Sequence, residues 1–488
     1  ASGPAASPAA SPAASPAPPA VPSRAGADTL DRSRRPALGA PPALTLPPAQ
    51  ERTLPNGLRL VVVEHHELPV VDAALLVHAG AEADPAGKEG VATLTAALLD
   101  EGTATRSALQ IADQVSFLGA GLSTSAGWDA STVTLHAATA QLDSALALMA
   151  DIVIRPRFPA AEFERLRKER LTGLLQLRDR APSIADRAFA QQLYGASHPY
   201  GRAPGGTEGS TRGLVRSDVE RFWRTHWRPN NATLVVVGDV TADAVAARVQ
   251  RAFGTWARAE VPPTVSPATP AAATGATVVL IDRPDAPQSS VRIGLVGVSR
   301  ASADYFPLLV MNTILGGSFT SRLNQNLRET KGYTYGAGSR FDMRRAAGPF
   351  VASAEVTGAK TDSALVEFMK ELRGMADTVP TAELEKAKQY LVLQMPGDFE
   401  TTGDLAGQVA GLVRYGLPLD YYDAYARRVQ AVTQADVQRV ARQYVNPGRL
   451  AIVVVGDRKT VEPAVRALNL APVVVRDVGE VLGAGAVP

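Results

Sequence analysis

The chain has 488 residues, 45% of them hydrophobic and 6% aromatic, with 50 basic against 48 acidic side chains and no cysteine. Such a length can bury more than one core without a disulfide or metal staple. The missing thiols exclude a zinc ribbon, an iron–sulfur cluster, a dithiol redox motif and a thiol nucleophile, and a net charge of +2 spread along the chain gives no nucleic-acid footprint.

Residues 1–45 carry Ser-Pro-Ala-Ala repeats from Ser7-Pro8-Ala9-Ala10 onward and almost nothing to bury, so a disordered or polyproline II tether is expected. The chain begins at Ala1, which fits a mature protein that has lost a signal peptide, and an exported, periplasmic location follows as an expectation. No apolar run reaches the roughly 18 residues of a membrane-spanning helix. After the turn signal Pro55-Asn56-Gly57, the runs Leu60–Val63 and Val70–Val77 predict two strands. Helical periodicity follows at 89–101 and 106–118, then an alternating strand at 131–135 and a helix near 141–153. Phe158-Pro159 opens a long charged helix that runs from Glu162 to about Arg178. A Pro/Ala/Thr-rich stretch at 261–275 reads as a linker, and Thr277–Ile281 starts strands again.

An internal repeat organises these elements. Asp218-Val219-Glu220-Arg221, then Arg228-Pro229-Asn230 and Leu234–Asp239, recur 218 positions later as Asp436-Val437-Gln438-Arg439, Asn446-Pro447-Gly448 and Leu450–Asp457. Each copy reads as a capped helix, a proline turn and a buried strand ending in Gly-Asp. The period is too long for a solenoid, so the chain is read as two copies of one unit of roughly 210 residues. The expected division is a tether at 1–45, units at 46–260 and 276–475, the linker at 261–275 and a tail at 476–488.

The landmarks of this duplicated unit resemble the M16 family of zinc peptidases, the pitrilysin or mitochondrial-processing-peptidase type. They are Leu54-Pro55-Asn56-Gly57-Leu58, Gly87-Lys88-Glu89-Gly90, Glu101-Gly102-Thr103 and His198-Pro199-Tyr200-Gly201. In the second half they are Leu315-Gly316-Gly317, Ser321-Arg322-Leu323, Leu327-Arg328-Glu329 and Lys331-Gly332-Tyr333-Thr334-Tyr335. The resemblance implies an α+β fold of two homologous domains, each a mainly antiparallel sheet covered by helices.

Active members carry His-x-x-Glu-His on the first helix, two imidazoles for zinc and a carboxylate base. The corresponding positions here are Thr93, Leu94, Thr95, Ala96 and Ala97, so neither ligand nor base is present at Thr93, Ala96 and Ala97. The third-ligand register falls near Gly173 and Leu174, with Glu169 one turn earlier. No two of the six histidines stand three to five apart; adjacent His65 and His66 would face opposite ways on a strand, and His198 reads as a structural loop residue. No metal site and no bound cofactor are therefore expected in this chain.

What the resemblance leaves is a C-terminal pair. Arg328 and Tyr335, seven apart across Gly332, keep the family spacing of a guanidinium and a phenol that stabilise negative charge on an attacked peptide carbonyl. Gly332 fits a left-handed helix cap, and Tyr333 and Tyr335 would share a strand face by alternation. Ser123 stands where the family has a substrate-facing Asn, on a strand able to pair with an extended peptide. No Gly-x-Ser-x-Gly elbow, phosphate loop or dinucleotide fingerprint occurs. The resemblance thus implies a zinc-less subunit that lends Arg328 and Tyr335 to a zinc-bearing M16 partner, in a heterodimer or larger assembly, acting on peptides or unfolded polypeptide. The alternative is a structural or peptide-binding protein similar to the core subunits of the respiratory bc1 complex.

Overall fold

The computed structural model describes residues 45–263, 266–271 and 273–483; the tether expected at 1–45 lies outside them except for Thr45. Six strands make the first sheet: β1 (Ala49–Thr53), β2 (Arg59–Glu64), β3 (Val70–Val77), β4 (Gly121–Ala126), β5 (Ser131–Ala138) and β6 (Ala232–Gly238), in the order β1-β2-β6-β3-β5-β4. Only β2 and β6 run parallel. The second sheet holds β7 (Thr277–Asp282), β8 (Gln288–Val296), β9 (Thr334–Phe341), β10 (Pro349–Thr357), β11 (Ala451–Gly456) and β12 (Val473–Arg476), in the order β12-β7-β11-β8-β10-β9, with β7 parallel to both β11 and β12. Two like units of mainly antiparallel sheet and helix are the α+β architecture expected from the resemblance.

The repeat has a structural counterpart residue by residue. Helices Arg216–His226 and Gln434–Tyr444 each lead through a one-turn segment, Pro229–Asn231 or Pro447–Arg449, into β6 or β11 at the middle of its sheet. The repeated aspartates sit in the first turn of their helices. Asp218 accepts from the Val215 N–H at 3.1 Å and Asp436 from the Thr433 N–H at 3.0 Å, so each carboxylate satisfies a backbone donor and meets the positive end of the helix dipole.

Both faces of the central strands are buried, which explains their unbroken apolar runs. Leu234 and Val236 of β6 belong to the first half's own core. Val235 and Val237 point the other way and pack with Leu405, Val409 and Val413 of helix Thr402–Tyr415, which belongs to the second half. The reciprocal holds: helix Ala181–Tyr194 of the first half lays Ile184, Ala185 and Ala188 on Val279, Ile281, Val453 and Val455 of the second sheet. Each half therefore covers the other's sheet with one crossover helix.

Two sequence expectations need correction. The tail expected at 476–488 is, over its described residues 476–483, built into the fold: Arg476 closes β12, and helix Val478–Leu482 buries Val481 and Leu482 beside the first crossover helix, where Gln191 Nε2 donates to Val481 O at 2.8 Å. Tyr333 and Tyr335 do not share a face. Tyr333 precedes β9 and packs against the second core, whereas Tyr335 is 90% exposed. Between Ala354 and Val356 the β10 register shifts, so that β9 carries an extra residue there. The Thr334 side-chain Oγ1 accepts from Gly336 N–H at 3.1 Å within that bulge, which breaks the alternation.

Candidate functional site

The motif helix, Val91–Ala97, starts at Gly90, whose φ of +94° is left-handed. Asp84 anchors this start by accepting from Gly90 N–H at 2.6 Å and Ala92 N–H at 2.9 Å. Burial outweighs these two donors and pushes the Asp84 carboxyl up to about 7. Thr93 donates to Gly90 O at 3.0 Å and lies 3.1 Å from Pro204 O, tying the helix to the loop behind it. Ala96 is fully buried and Ala97 partly so. Arg170 of the long charged helix (Ala160–Gln176) donates to Gly90 O at 2.7 Å. Burial lowers the pKa of that guanidinium, and it remains a fixed cation beside the helix start. Glu169 instead pairs with Arg165 on the exposed side. One hydroxyl, two methyl groups and a neighbouring guanidinium do not fit a zinc ion, which takes imidazole, thiolate or carboxylate donors. Among the described residues, no group of three or more His, Asp or Glu side chains could hold a metal ion.

Four of the histidines, His66, His78, His136 and His198, have hydrogen-bonding partners elsewhere. His198 Nδ1 accepts from Tyr200 N–H and its Nε2 lies 3.0 Å from Ala268 O, so this ring pins the interdomain segment to the loop. His66 lies 2.8 Å from Asp239, which with Glu64 raises its pKa.

The C-terminal pair is built by a different logic. Helical turn Arg322–Asn324 widens into a π-helical turn, Gln325–Thr330, whose last step is the Lys331 N–H to Asn326 O bond at 2.9 Å. Gly332, at φ +64°, then caps it: its N–H meets Arg328 O at 3.1 Å, and Tyr333 N–H meets Leu327 O at 2.9 Å. Arg328 is thereby held at the surface, with its Cζ 4.8 Å from the centre of the Phe319 ring and its Nε 3.3 Å from Glu329. Tyr335 is the second residue of β9, the edge strand of the second sheet. Buried Asn324 joins the two parts, donating to Phe319 O at 2.7 Å and accepting from Ala337 N–H at 3.2 Å. Gly316 serves close packing: a Cβ there would fall 2.2 Å from Ser339 N of β9. Phe319 and Asn324 carry no sequence signal for a role at the site; only their contacts disclose it.

Ser123 lies on β4, the edge strand at the corresponding end of the first sheet. Its hydroxyl is 2.7 Å from that of Thr134 on β5, and its side chain is exposed. The contacts of Arg328 come from its own half, so the structure does not bring the C-terminal pair onto the motif helix of the same chain.

Comparison with known proteins bears on the family and the fold. The family profile described as "Insulinase (Peptidase family M16)" matches residues 59–194, and that described as "Peptidase M16 inactive domain" matches residues 213–391. An uncharacterised zinc protease of Mycobacterium leprae is 31% identical over 60% of this chain and 65% of its own length. Its counterpart in Mycobacterium bovis is 30% identical over 62% of this chain and 69% of its own length. The crystal structure of a peptidase M16 inactive domain from Pseudomonas fluorescens superposes with a TM-score of 0.79 at 27% identity, covering 84% of this chain and 98% of that one. A protease from Helicobacter pylori shares the fold at 22% identity and a TM-score of 0.77, covering 84% of this chain and all of that one. The chain belongs to peptidase family M16.

Proposed function

We propose that this chain is the zinc-less subunit of a heteromeric M16 endopeptidase. The observation that carries the reading is a contrast within one molecule. The motif helix offers hydroxyl and methyl groups where a metal would need donors, while Arg328 and Tyr335 are held outward on a capped π turn and an edge strand. A guanidinium and a phenol fixed in this way are preorganised donors for an oxyanion forming on a neighbouring chain, where they need no reorganisation at the moment of reaction. Zinc belongs to the partner, which makes the assembly a heterodimer or a larger complex. The substrate class is peptide or unfolded polypeptide, docked in extended form along the β4 edge past Ser123. An exported, periplasmic setting is part of the same proposal.

The pure chain is expected to contain no stoichiometric zinc by elemental analysis, to cleave no peptide, and to confer turnover when mixed with an M16 chain carrying His-x-x-Glu-His. In that mixture Arg328→Ala should lower kcat by about 100-fold, the order seen when one oxyanion donor is lost, with co-elution of the two chains preserved. Unchanged turnover, or peptidase activity of the metal-free chain alone, removes the proposal. A chain that binds peptide but activates no M16 partner would be a structural or peptide-binding protein.

A further inference from the structure

A cavity of about 400 Å³ lies between the two halves, walled by the first crossover helix, the loop after Tyr200 and strands β9 and β10. Trp128, Phe189, Pro204 and Pro349 give it apolar sides. Four guanidinium groups also line it, those of Arg187, Arg202, Arg340 and Arg344. The two carboxylates in the lining are already engaged: Asp186 with Arg292 at 2.6 Å, and Asp342 with Arg344. Glu89, outside the lining, stands 3.9 Å from Arg202. The cavity therefore keeps an excess of positive charge.

Arg344 singles out this cavity. The residue is only 7% exposed, and its Cζ lies 4.4 Å from the centre of the Trp128 ring and 4.7 Å from that of Tyr200. Its Nε and Nη2 hold Asp342, but its Nη1 has no hydrogen-bond partner. Nε of Arg187 is likewise unpartnered, while its Nη1 donates to Gly206 O at 3.1 Å. Two guanidinium groups that line one cavity and each keep a buried N–H without a partner leave its positive charge incompletely compensated. Guanidinium forks match the planar spacing of a carboxylate, and the aromatic and prolyl walls suit an apolar body rather than a bare inorganic ion.

The geometry points to this cavity as a binding site for a carboxylate carried on an apolar or aromatic group, the chemistry of a free peptide C-terminus or of a small aromatic acid. The inference goes beyond the peptidase reading and needs neither Arg328 nor a partner chain. Isothermal titration calorimetry of the full chain with N-acetylphenylalanine, its amide, and a short Phe-terminated peptide as acid and as amide tests it. Both acids should bind, and both amides about ten-fold or more weaker, with affinity falling as salt rises. Arg340→Gln, at an exposed position, should weaken the acids about five-fold without moving the thermal midpoint. A peptide acid that outbinds N-acetylphenylalanine identifies a polypeptide C-terminus as the source, and equal affinity identifies a free acid; either keeps the carboxylate site. Equal binding of acid and amide, no binding of either acid, unchanged affinity in Arg340→Gln, or displacement by equimolar inorganic phosphate overturns it. None of these outcomes bears on turnover with a zinc-bearing partner, so the two proposals fail separately.

Discussion

Asn324 shows how much of the Arg328–Tyr335 site depends on a side chain with no motif behind it. Its buried amide spans the loop that carries Phe319 and the strand that carries Tyr335. Asn324→Ala orphans two backbone groups and is expected to cost about 1–3 kcal/mol in denaturant unfolding, and, in the proposed mixture with a zinc-bearing M16 chain, to lower kcat along with it. Ala96 makes the opposite point. It occupies the family's general-base position but is fully buried, so Ala96→Glu would enclose an unpaired carboxylate. The expected loss exceeds about 2 kcal/mol by urea titration, and a variant of undiminished stability would show that this helix face can open. Titration adds a third residue-scale expectation. Burial raises the Glu82 carboxyl, aided by Asp129 and opposed by its bonded partner Arg345. A raised folded-state pKa gives stability that is complete below 4.5 and is lost as pH climbs through the folded value. Burial lowers His78 from 6.5 to about 4, which gives stability present above 6.5 and lost as pH falls toward 4. Asp84, pushed up to about 7, has the same sign as Glu82, and His78 offsets only part of their effect below 6.5, so urea midpoints should decline as pH rises from about 4.5 through 7, and Glu82→Gln should reduce that decline without abolishing it.

At the scale of elements, the central strands were legible because burial on both faces writes itself as an unbroken apolar run, as in Leu234–Val237. The long charged helix and the helix at 142–154 were legible from periodicity. The first crossover helix was not anticipated, since Ala181–Tyr194 carries only a mild apolar stripe of small residues. What makes it a helix with a purpose is the sheet of the other half. Ile184, fully buried there, is the residue to test. Ile184→Ala should cost about 2–4 kcal/mol while the chain continues to unfold in one transition by far-UV signal, because the second crossover helix still joins the halves. Separate transitions would show that the Ile184 contact is what couples the halves. The β9 bulge belongs to the same scale: alternation predicts a shared face for Tyr333 and Tyr335, and one inserted residue separates them.

For the whole molecule, the exchange of crossover helices makes the halves interdependent. Residues 46–260 expressed alone would expose Val61, Val63, Leu76, Val235 and Val237, the face that Leu405, Val409 and Val413 cover. That fragment is expected to bind a hydrophobic dye and aggregate, and co-expression with residues 276–488 should restore a soluble complex. A soluble, dye-negative first half would show that the second crossover helix is dispensable. The sequence by itself determined the duplication, the family resemblance and the missing donors at Thr93, Ala96 and Ala97, because these depend on residue identity at fixed spacing along the chain. Only the tertiary structure decided which helix covers which sheet, that residues 478–482 belong to a core, and that arginines from two distant segments, 187–202 and 340–344, line one cavity. The physical reason is the same in each case. Burial and charge are properties of surfaces brought together from distant segments, and local periodicity carries no information about which surfaces will meet.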